Sequence, residues 1–278
     1  MTQICIPKTL QHQLDYELTA DFILHTKPSR LALGRSLYRY QSAETGQMFW
    51  LKTQNHVADI HSKILISGFM QELDVYAQCD QQQCSFILPF FHYRSLQGQT
   101  WLGVEHASAL FQQAASALTR QQFIHVLWQI FDAVGALHRM GWLHGDLKAE
   151  HFLYADGQVK LIDFEHCQAI APCETHQNLA LQATPRYMAP ELFQGYAKSP
   201  QSDFYAIGII LLEWINNERF AARGYVDWAL LHCQQLTLDL DTEFKWLEPL
   251  FIGLLAKHKS RRFLHVDEVK RCLMAEIE

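Results

Sequence analysis

Two stretches decide the fold of this chain: His144-Gly-Asp-Leu-Lys-Ala-Glu-His151 and, shortly after it, Leu161-Ile-Asp-Phe-Glu165. Asp146 lies in a predicted loop behind a buried helix, and Asp163 follows an apolar strand. Phosphoryl transfer requires one carboxylate to orient a hydroxyl, one to hold Mg²⁺ and a lysine, here Lys148, to screen the moving group. Either aspartate alone would be as well explained as a helix cap, so the interpretation depends on their combination.

Before this stretch the pattern is mostly that of short strands. Strands are predicted at residues 22–33, 37–42, 48–52, 85–91 and 100–104. Apolar residues at three- and four-residue spacing predict one amphipathic helix over residues 59–79. Residues 1–20 remain unassigned. The first part of the chain therefore resembles a small antiparallel sheet that carries one helix.

After residue 105 the pattern becomes mainly helical. The clearest helix covers residues 119–140, with Thr119 as its N-cap, and an apolar helix is predicted over 203–216. A hairpin that turns at Asp156-Gly157 would bring Asp146 and Asp163 into one cleft. We therefore predict an α+β fold with two domains, residues 1–105 and 106–278.

Composition excludes several other classes. With 23 basic and 29 acidic residues the net charge is −6, so nothing indicates a nucleic-acid or anionic-membrane partner. The longest apolar run, residues 204–212, is far shorter than the ~20 residues that span a bilayer, and we expect no transmembrane segment. Seven cysteines without a CxxC pair indicate reduced thiols and a cytoplasmic protein. The oligomeric state stays open.

The motifs resemble, in family order, those of the eukaryotic-type protein kinase superfamily, over about residues 20–275. HGDLKAEH at 144–151 resembles the catalytic loop, and IDFE at 162–165 resembles the metal-binding Asp-Phe-Gly. TPRYMAPE at 184–191 resembles the end of an activation segment. The resemblance implies a bilobal kinase-like fold, with a small antiparallel-sheet N-lobe that binds nucleotide and a larger helical C-lobe.

The resemblance also implies a role for each matching residue. Asp146 would be the base that orients the acceptor hydroxyl, and Lys148 would neutralise the γ-phosphate, as in Ser/Thr kinases. Asp163 would bind Mg²⁺. Glu191 and Arg262 would form a buried structural ion pair.

Binding of ATP is expected to involve the first domain. Lys52 would hold the α- and β-phosphates and pair with Glu72, while Asp74, on the other side of the same helix, would face solvent. Adenine would hydrogen-bond to backbone groups of the hinge, residues 104–107. The cofactor-binding residues implied by the resemblance are Lys52, Glu72, Gly34, Val104, Glu105 and Ala107.

The glycine-rich loop of the family is reduced here to one glycine, Gly34. Ser36 and Arg39 stand at the other two glycine positions. Backbone amides approach phosphates closely only where side chains are small, so we expect weaker ATP binding. Arg35 and Arg39 are better explained as solvated strand residues than as phosphate ligands.

The predicted metal site departs from the family at two positions. His151 stands where an asparagine ligand is expected, and imidazole suits Mn²⁺ better than Mg²⁺. Packing without metal contact is an equally weighted alternative for His151. Glu165 replaces a glycine that normally lets the segment flip; it should restrict that motion and add a carboxylate near the metal.

Gly145 stands where many kinases have an arginine that pairs with a phosphorylated activation segment. We therefore predict that activity does not require phosphorylation at Thr175 or Thr184. Thr184 is expected to hydrogen-bond near Asp146 instead.

Together these features favour an ATP- and Mg²⁺- or Mn²⁺-dependent Ser/Thr protein kinase with a protein substrate. Two alternatives remain open. One is a pseudokinase that serves as an interaction module, favoured by the reduced glycine loop and His151. The other is a small-molecule kinase, because the residues at 151 and 165 also resemble bacterial lipopolysaccharide-core sugar kinases.

Overall fold

The computed structural model describes residues 2–170 and 183–275. Two compact units divide the chain: Met1–Ser108 with Ile162–Glu165, and Ala109–Leu161 with His166–Glu278. The sequence analysis placed the division after residue 105 and left residues 162–165 in the second domain. In the structure, the segment that carries Asp163 belongs to the first unit instead.

A five-stranded antiparallel sheet forms the frame of the first unit, in the order β1-β2-β3-β5-β4. Its strands are β1 (Phe22–Leu24), β2 (Arg35–Gln41), β3 (Met48–Gln54), β4 (Phe90–Arg94) and β5 (Thr100–Glu105). The central strand β3 alternates buried and half-buried residues, as expected for a sheet packed on one face. Lys52 lies in β3 opposite Leu37 of β2 and Leu102 of β5.

Three helices accompany this sheet. The long helix α3 (Ile60–Gln81) matches the predicted amphipathic helix, and its N-cap Asp59 accepts a hydrogen bond from the His61 amide at 2.7 Å. The sequence analysis left α1 (Lys8–Asp15) unassigned and placed α2 (Pro28–Leu31) within a predicted strand. Leu10 and Leu14 of α1 join the buried aromatic cluster of the sheet, so α1 is part of this core.

Two predicted strands are shorter in the structure. The run 22–33 is strand only in β1, because Pro28 begins the short helix α2. In the run 85–91 strand begins only at Phe90, and Phe86, Ile87 and Leu88 are buried within a connecting segment. The apolar residues 86–88 therefore indicated burial correctly but did not indicate a strand.

The second unit is mainly helical. Its long helices are α4 (Arg120–Arg139), α6 (Pro200–Ile215), α8 (Glu248–Leu255) and α9 (Val266–Ala275), with the shorter α5 (Pro190–Phe193) and α7 (Tyr225–Leu230). The chain enters this unit through β6 (Ser108–Ala109), and its other strands are β7 (Trp142–Leu143), β8 (Phe152–Ala155), β9 (Gln158–Leu161) and β10 (Gln168–Ala169). With the sheet of the first unit, these elements confirm the predicted α+β class.

Helix boundaries in this unit follow the predicted signals. Thr119 and Gln122 form a capping box at the start of α4, and Gly141 follows its end with a φ of 87°. The apolar helix α6 is buried from Gln201 to Ile215. The predicted hairpin turn at Asp156-Gly157 joins β8 and β9. Within the described residues 2–170 and 183–275, no helix is both long and apolar enough to cross a bilayer.

The predicted ion pair between Glu191 and Arg262 is present and buried. Arg262 Nη1 donates to Glu191 Oε1 at 2.7 Å, and Nη2 donates to Oε2 at 2.6 Å. The guanidinium also donates to the carbonyl oxygens of Ala256 and Gln201. This fork geometry ties the start of α5 to the segment between α8 and α9.

Candidate active site

The first unit gathers charged side chains around Lys52. Its Nζ donates to Glu72 Oε2 at 2.7 Å and to Asp163 Oδ1 at 2.9 Å, and lies 3.0 Å from Glu165 Oε1. Lys52 comes from β3 and Glu72 from α3. The predicted Lys52–Glu72 pair is therefore formed, and Asp74 is exposed as expected.

Burial and charge act in opposite directions on this cluster. Burial lowers the pKa of Lys52, but Asp163, Glu165 and Glu72 more than offset it, so the pKa lies well above its ordinary value. The ammonium is therefore charged. For the Glu72 carboxyl, burial has the opposite sign: it raises the pKa, and the positive charge of Lys52 counteracts this increase only in part. One lysine thus holds three carboxylates in a partly water-free setting.

The segment after Asp163 is fixed to α3. The Phe164 amide donates to Glu72 Oε1 at 3.3 Å, and the Phe164 ring meets the Tyr76 ring edge-on at 5.1 Å between centroids. Asp163 itself has a φ of 66°, in the left-handed region. A non-glycine residue keeps this conformation only where its surroundings impose it.

Arg35 does not behave as the solvated strand residue that the sequence favoured. Its side chain is 11% exposed, and Nη1 forms an ion pair with Glu165 Oε1. Its Nε donates to Gln54 Oε1 at 3.0 Å. The solvated-arginine interpretation is therefore wrong, because Glu165, 130 positions away in the chain, supplies a buried partner.

Gly34 lies in the turn just before β2, and its close packing against Asn55 after β3 explains why it is glycine. It has a φ of 87°, and a Cβ at this position would lie 2.3 Å from the Asn55 carbonyl oxygen. Its own carbonyl accepts a hydrogen bond from the Asn55 amide at 2.8 Å. Glycine is therefore required here by the β2–β3 approach alone, and its contact with phosphate stays a prediction.

The predicted adenine-binding segment ends β5. Val104 pairs with Trp50 of β3 and Phe90 of β4. The Glu105 amide donates to the Pro89 carbonyl at 2.9 Å, which leaves this N–H engaged within the unit. Binding of adenine by Val104, Glu105 and Ala107 stays a prediction.

In the second unit, Asp146 is buried and held by two donors. Its Oδ1 accepts from the Thr184 amide at 2.8 Å, and Oδ2 lies 3.1 Å from Lys148 Nζ. Burial raises the pKa of Asp146, but Lys148 and the neighbouring histidines outweigh burial and lower it. The carboxylate is therefore ionised. Thr184 makes the predicted contact; Thr175 lies outside the described residues.

The loop around Asp146 is shaped by a second buried aspartate, Asp203 of α6. Its carboxylate accepts from the amides of His144 at 2.9 Å and Gly145 at 3.0 Å. His138 Nε2 lies 2.9 Å from Oδ2. Burial raises the pKa of Asp203, but these donors lower it overall, so the group is charged. Backbone hydrogen bonds to one charged acceptor thus fix the loop.

Gly145 packs against Lys198 and the His166 carbonyl, which leaves little room for a side chain at position 145. Gly145 has a φ of 76°, and a Cβ there would lie 2.6 Å from the His166 carbonyl oxygen and 3.0 Å from Lys198 Nζ. Lys198 therefore occupies part of the volume that a larger residue 145 would need. Sequence reasoning missed Lys198, because no motif or spacing connects it with the catalytic loop.

His151 is buried in the second unit. Its ring stacks on the His144 ring with centroids 5.3 Å apart, and its amide donates to the Lys148 carbonyl at 3.0 Å. This contact is the packing arrangement that the sequence left open as the alternative to metal binding. A role as metal ligand stays a prediction.

Comparison with known families matches the geometry described above. The protein kinase domain model matches residues 34–277, which is most of the chain. The chain therefore belongs to the protein kinase family, as its motifs predicted.

Curated relatives of the chain carry kinase names. It is 29% identical over 162 residues to "Serine/threonine-protein kinases drp72" of Corynebacterium efficiens, covering 57% of this chain and 31% of that protein. It is 31% identical over 158 residues to "Probable serine/threonine-protein kinase PknB" of Lactococcus lactis, covering 55% and 25%. To human "Serine/threonine-protein kinase PAK 4" it is 32% identical over 102 residues, covering 36% and 17%. The chain thus spans a third or less of each relative's length.

Proposed function

We propose that the chain is an ATP-dependent Ser/Thr protein kinase that transfers the γ-phosphoryl group to a protein hydroxyl. The observation that carries this proposal is the charged Lys52 bound to both Glu72 and Asp163 in the first unit. A lysine held by a helix glutamate is the arrangement that orients it toward nucleotide phosphates. The names of the relatives support the same acceptor class.

The donor set in the first unit fits a divalent cation. Glu72, Asp163 and Glu165 each offer a carboxylate oxygen, and these atoms lie within 4.8 Å of one another. Oxygen ligands are what Mg²⁺ and Mn²⁺ prefer. We assign the metal to Asp163 and Glu165, with His151 as a further candidate. When bound, the ion neutralises negative charge on the phosphates.

Two residues of the second unit are assigned to the chemical step. The ionised Asp146 accepts a hydrogen bond from the substrate hydroxyl and aligns its oxygen for attack. Lys148, 3.1 Å from Asp146, carries the positive charge that stabilises the phosphoryl oxygens. Both side chains come from one short loop, and Asp203 holds the backbone of that loop at His144 and Gly145.

Transfer of labelled phosphate from ATP tests the proposal. The full chain is incubated with protein acceptors that carry Ser and Thr, with bacterial glycans, and with Mg²⁺ or Mn²⁺. Label on protein that disappears in Asp146→Asn supports the proposal, since asparagine keeps the Thr184 hydrogen bond but cannot accept the proton. Label confined to glycans would replace protein by sugar as the acceptor, and a clear preference for Mg²⁺ would contradict the assignment of His151.

The interaction-module alternative predicts a different result. An inert scaffold would show no label with any acceptor or ion, and Asp146→Asn would change nothing. The set of charged residues argues against this alternative, because a scaffold has no chemical use for the combination of Lys52, Glu72, Asp163, Asp146 and Lys148. The cytoplasmic location inferred from the cysteines, the protein substrate and the absence of a nucleic-acid partner stay predictions.

A further inference from the structure

We propose that Arg35 is a positioning residue that holds Glu165, and through it the Asp163 carboxylate, in the arrangement that binds metal and nucleotide. This inference deepens the proposed function and rests on it for the role of Asp163. Arg35 itself is not assigned a contact with the nucleotide. Its effect passes through the backbone and side chain of residues 163–165.

The guanidinium of Arg35 is fixed before it reaches Glu165. Nε donates to Gln54 Oε1 on the neighbouring strand, and Nη2 lies 3.5 Å from the Leu65 carbonyl oxygen of α3. Gln54 in turn donates to the Leu33 and Asn55 carbonyls at 2.8 and 3.0 Å. Because these partners orient the planar group, Nη1 meets Glu165 with little freedom to move.

Helix α3 leaves room for Glu165 at one position. A Cβ on Gly68 would lie 3.2 Å from the Glu165 carbonyl oxygen and 3.4 Å from its Cβ. The helix therefore lets the Glu165 backbone pass close by, and the side chain is only 8% exposed. Glu165 is enclosed by Arg35, Lys52 and Gly68, which come from β2, β3 and α3.

The contacts around Glu165 also bear on the backbone conformation of Asp163. A φ of 66° is unfavourable for a residue with a side chain and is kept by its neighbours. Phe164 is held by Glu72 and Tyr76, and Glu165 by Arg35 and Lys52. Two fixed residues directly after Asp163 hold it in this conformation.

Charge also favours this role for Arg35. Three carboxylates surround Lys52 at 2.7 to 3.0 Å, so one lysine cannot balance them. Arg35 adds a second permanent positive charge at Glu165, on the side of α3 and β2. Without it, repulsion between Glu165 and Asp163 would push the two carboxylates apart.

Hydrogen exchange of the full chain, measured without metal or nucleotide, tests the inference directly. Arg35→Met should speed exchange of the amides at 163–166 by about tenfold or more, since a charge-assisted buried contact is lost. Arg35→Lys should restore part of the protection. The matched control is Arg94→Met, the same substitution on the exposed residue of edge strand β4, which should leave these amides unchanged.

Binding of Mn²⁺ alone gives a second readout. Residues that orient metal ligands typically change metal affinity by about 10- to 100-fold when replaced, so Arg35→Met should weaken Mn²⁺ binding in that range. Glu165→Gln should weaken it as well. If Arg35 acts through Glu165, the double variant should bind Mn²⁺ no more weakly than Glu165→Gln alone.

These outcomes separate the inference from the proposed function. Equal exchange and equal Mn²⁺ affinity in Arg35→Met and Arg94→Met would overturn the inference, even if Arg35→Met melts at a lower temperature, because Arg35 would then only stabilise the sheet. Additive effects of Arg35→Met and Glu165→Gln would overturn it too. If the wild type transfers no phosphate, but Arg35→Met still exchanges the amides at 163–166 faster than the wild type does, the kinase proposal is refuted. The inference that Arg35 fixes residues 163–165 is then kept.

Discussion

The Lys52 cluster of the first unit and the Asp146 loop of the second unit are stabilised in different ways. In the first, side chains from β2, β3 and α3 meet in ion pairs that join Arg35 and Lys52 to Glu165. In the second, the carboxylate of Asp203 accepts hydrogen bonds from two backbone amides of the loop. The first site is thus built from ion pairs between side chains, whereas the loop of the second is held by backbone amides that donate to one charged acceptor.

This difference decides which substitutions each site tolerates. Backbone amides are present in any sequence, so the loop at 144–146 needs only a glycine at 145 and an acceptor at 203. Ion pairs need each partner in place, and removal of one leaves the other buried and charged. The first site should therefore respond to changes at several residues and the second to changes at very few.

The largest effect is expected from comparing Asp146→Asn with Lys52→Met. Asp146→Asn should lower kcat by about 10³-fold and leave Mg²⁺–ADP affinity within about twofold, because hydroxyl alignment is lost and phosphate binding is not. Lys52→Met should weaken Mg²⁺–ADP binding as well as turnover. Phosphate transfer and calorimetric titration measure the two quantities, and equal loss of nucleotide affinity in both variants would contradict the separation of roles.

Asp203→Ala tests the backbone-held loop through stability. Alanine leaves the buried amides of His144 and Gly145 without their acceptor, so the free energy of unfolding should fall by about 3 kcal/mol or more. Denaturant unfolding measures this change. The control is Asp74→Ala on the exposed face of α3, which should change stability by less than about 0.5 kcal/mol. A similar small change in both variants would show that the loop does not depend on Asp203.

Acid should destabilise the second unit through His232. Burial lowers the pKa of His232 to about 4 from its ordinary 6.5. Between those two values the unfolded chain binds a proton that the folded chain does not, so this contribution is complete above pH 6.5 and is lost as the pH falls toward 4. The total loss is about 3 kcal/mol.

Unfolding of wild type and His232→Phe across pH 7.5 to 4.5 checks this prediction. The rings of Phe193 and Trp228 stack on His232 at centroid distances of 5.7 and 5.9 Å, so phenylalanine keeps the aromatic packing. The variant loses the contact with Tyr205 at every pH, but its stability should fall less steeply on acidification. Parallel curves would assign the acid sensitivity to other groups.

The smallest effect is expected at the exposed pair of Arg219 and Glu150. Their atoms are 2.6 Å apart, but both side chains are more than half exposed. Arg219→Ala should therefore change the free energy of unfolding by less than about 1 kcal/mol, measured by urea unfolding. A larger loss than that of Arg35→Met would reverse the ranking of exposed and buried pairs.

Much of the fold was predictable because local signals and long-range packing agree. Thr119 with Gln122 marks the start of α4, Gly141 follows its end, and Asp156-Gly157 forms the expected turn. Two runs that flank α3 were less predictable. Pro28 begins a short helix inside what looked like a strand, and the apolar residues 86–88 are buried without forming one.

The contacts of the candidate site also fall into two groups: those that the sequence predicted and those that only the folded chain shows. Lys52 with Glu72 was predictable because a lysine at the end of a strand and an acid on the buried face of the next helix face each other in this family. The contact of Arg35 with Glu165 was not, since neither spacing nor periodicity connects residues 130 positions apart. Lys198 was missed for the same reason: its proximity to Gly145 exists only after the chain has folded.

Helix α1 has a practical consequence for anyone who trims this protein. The family match starts at residue 34, which invites expression of a shorter fragment that begins there. Such a fragment would lack Leu10, Leu14 and Phe22, and would uncover Tyr40 and Phe49, which they bury. The aromatic surface that becomes exposed to solvent would favour aggregation. Recombinant fragments should therefore keep α1 and β1, even though the kinase motifs do not include them.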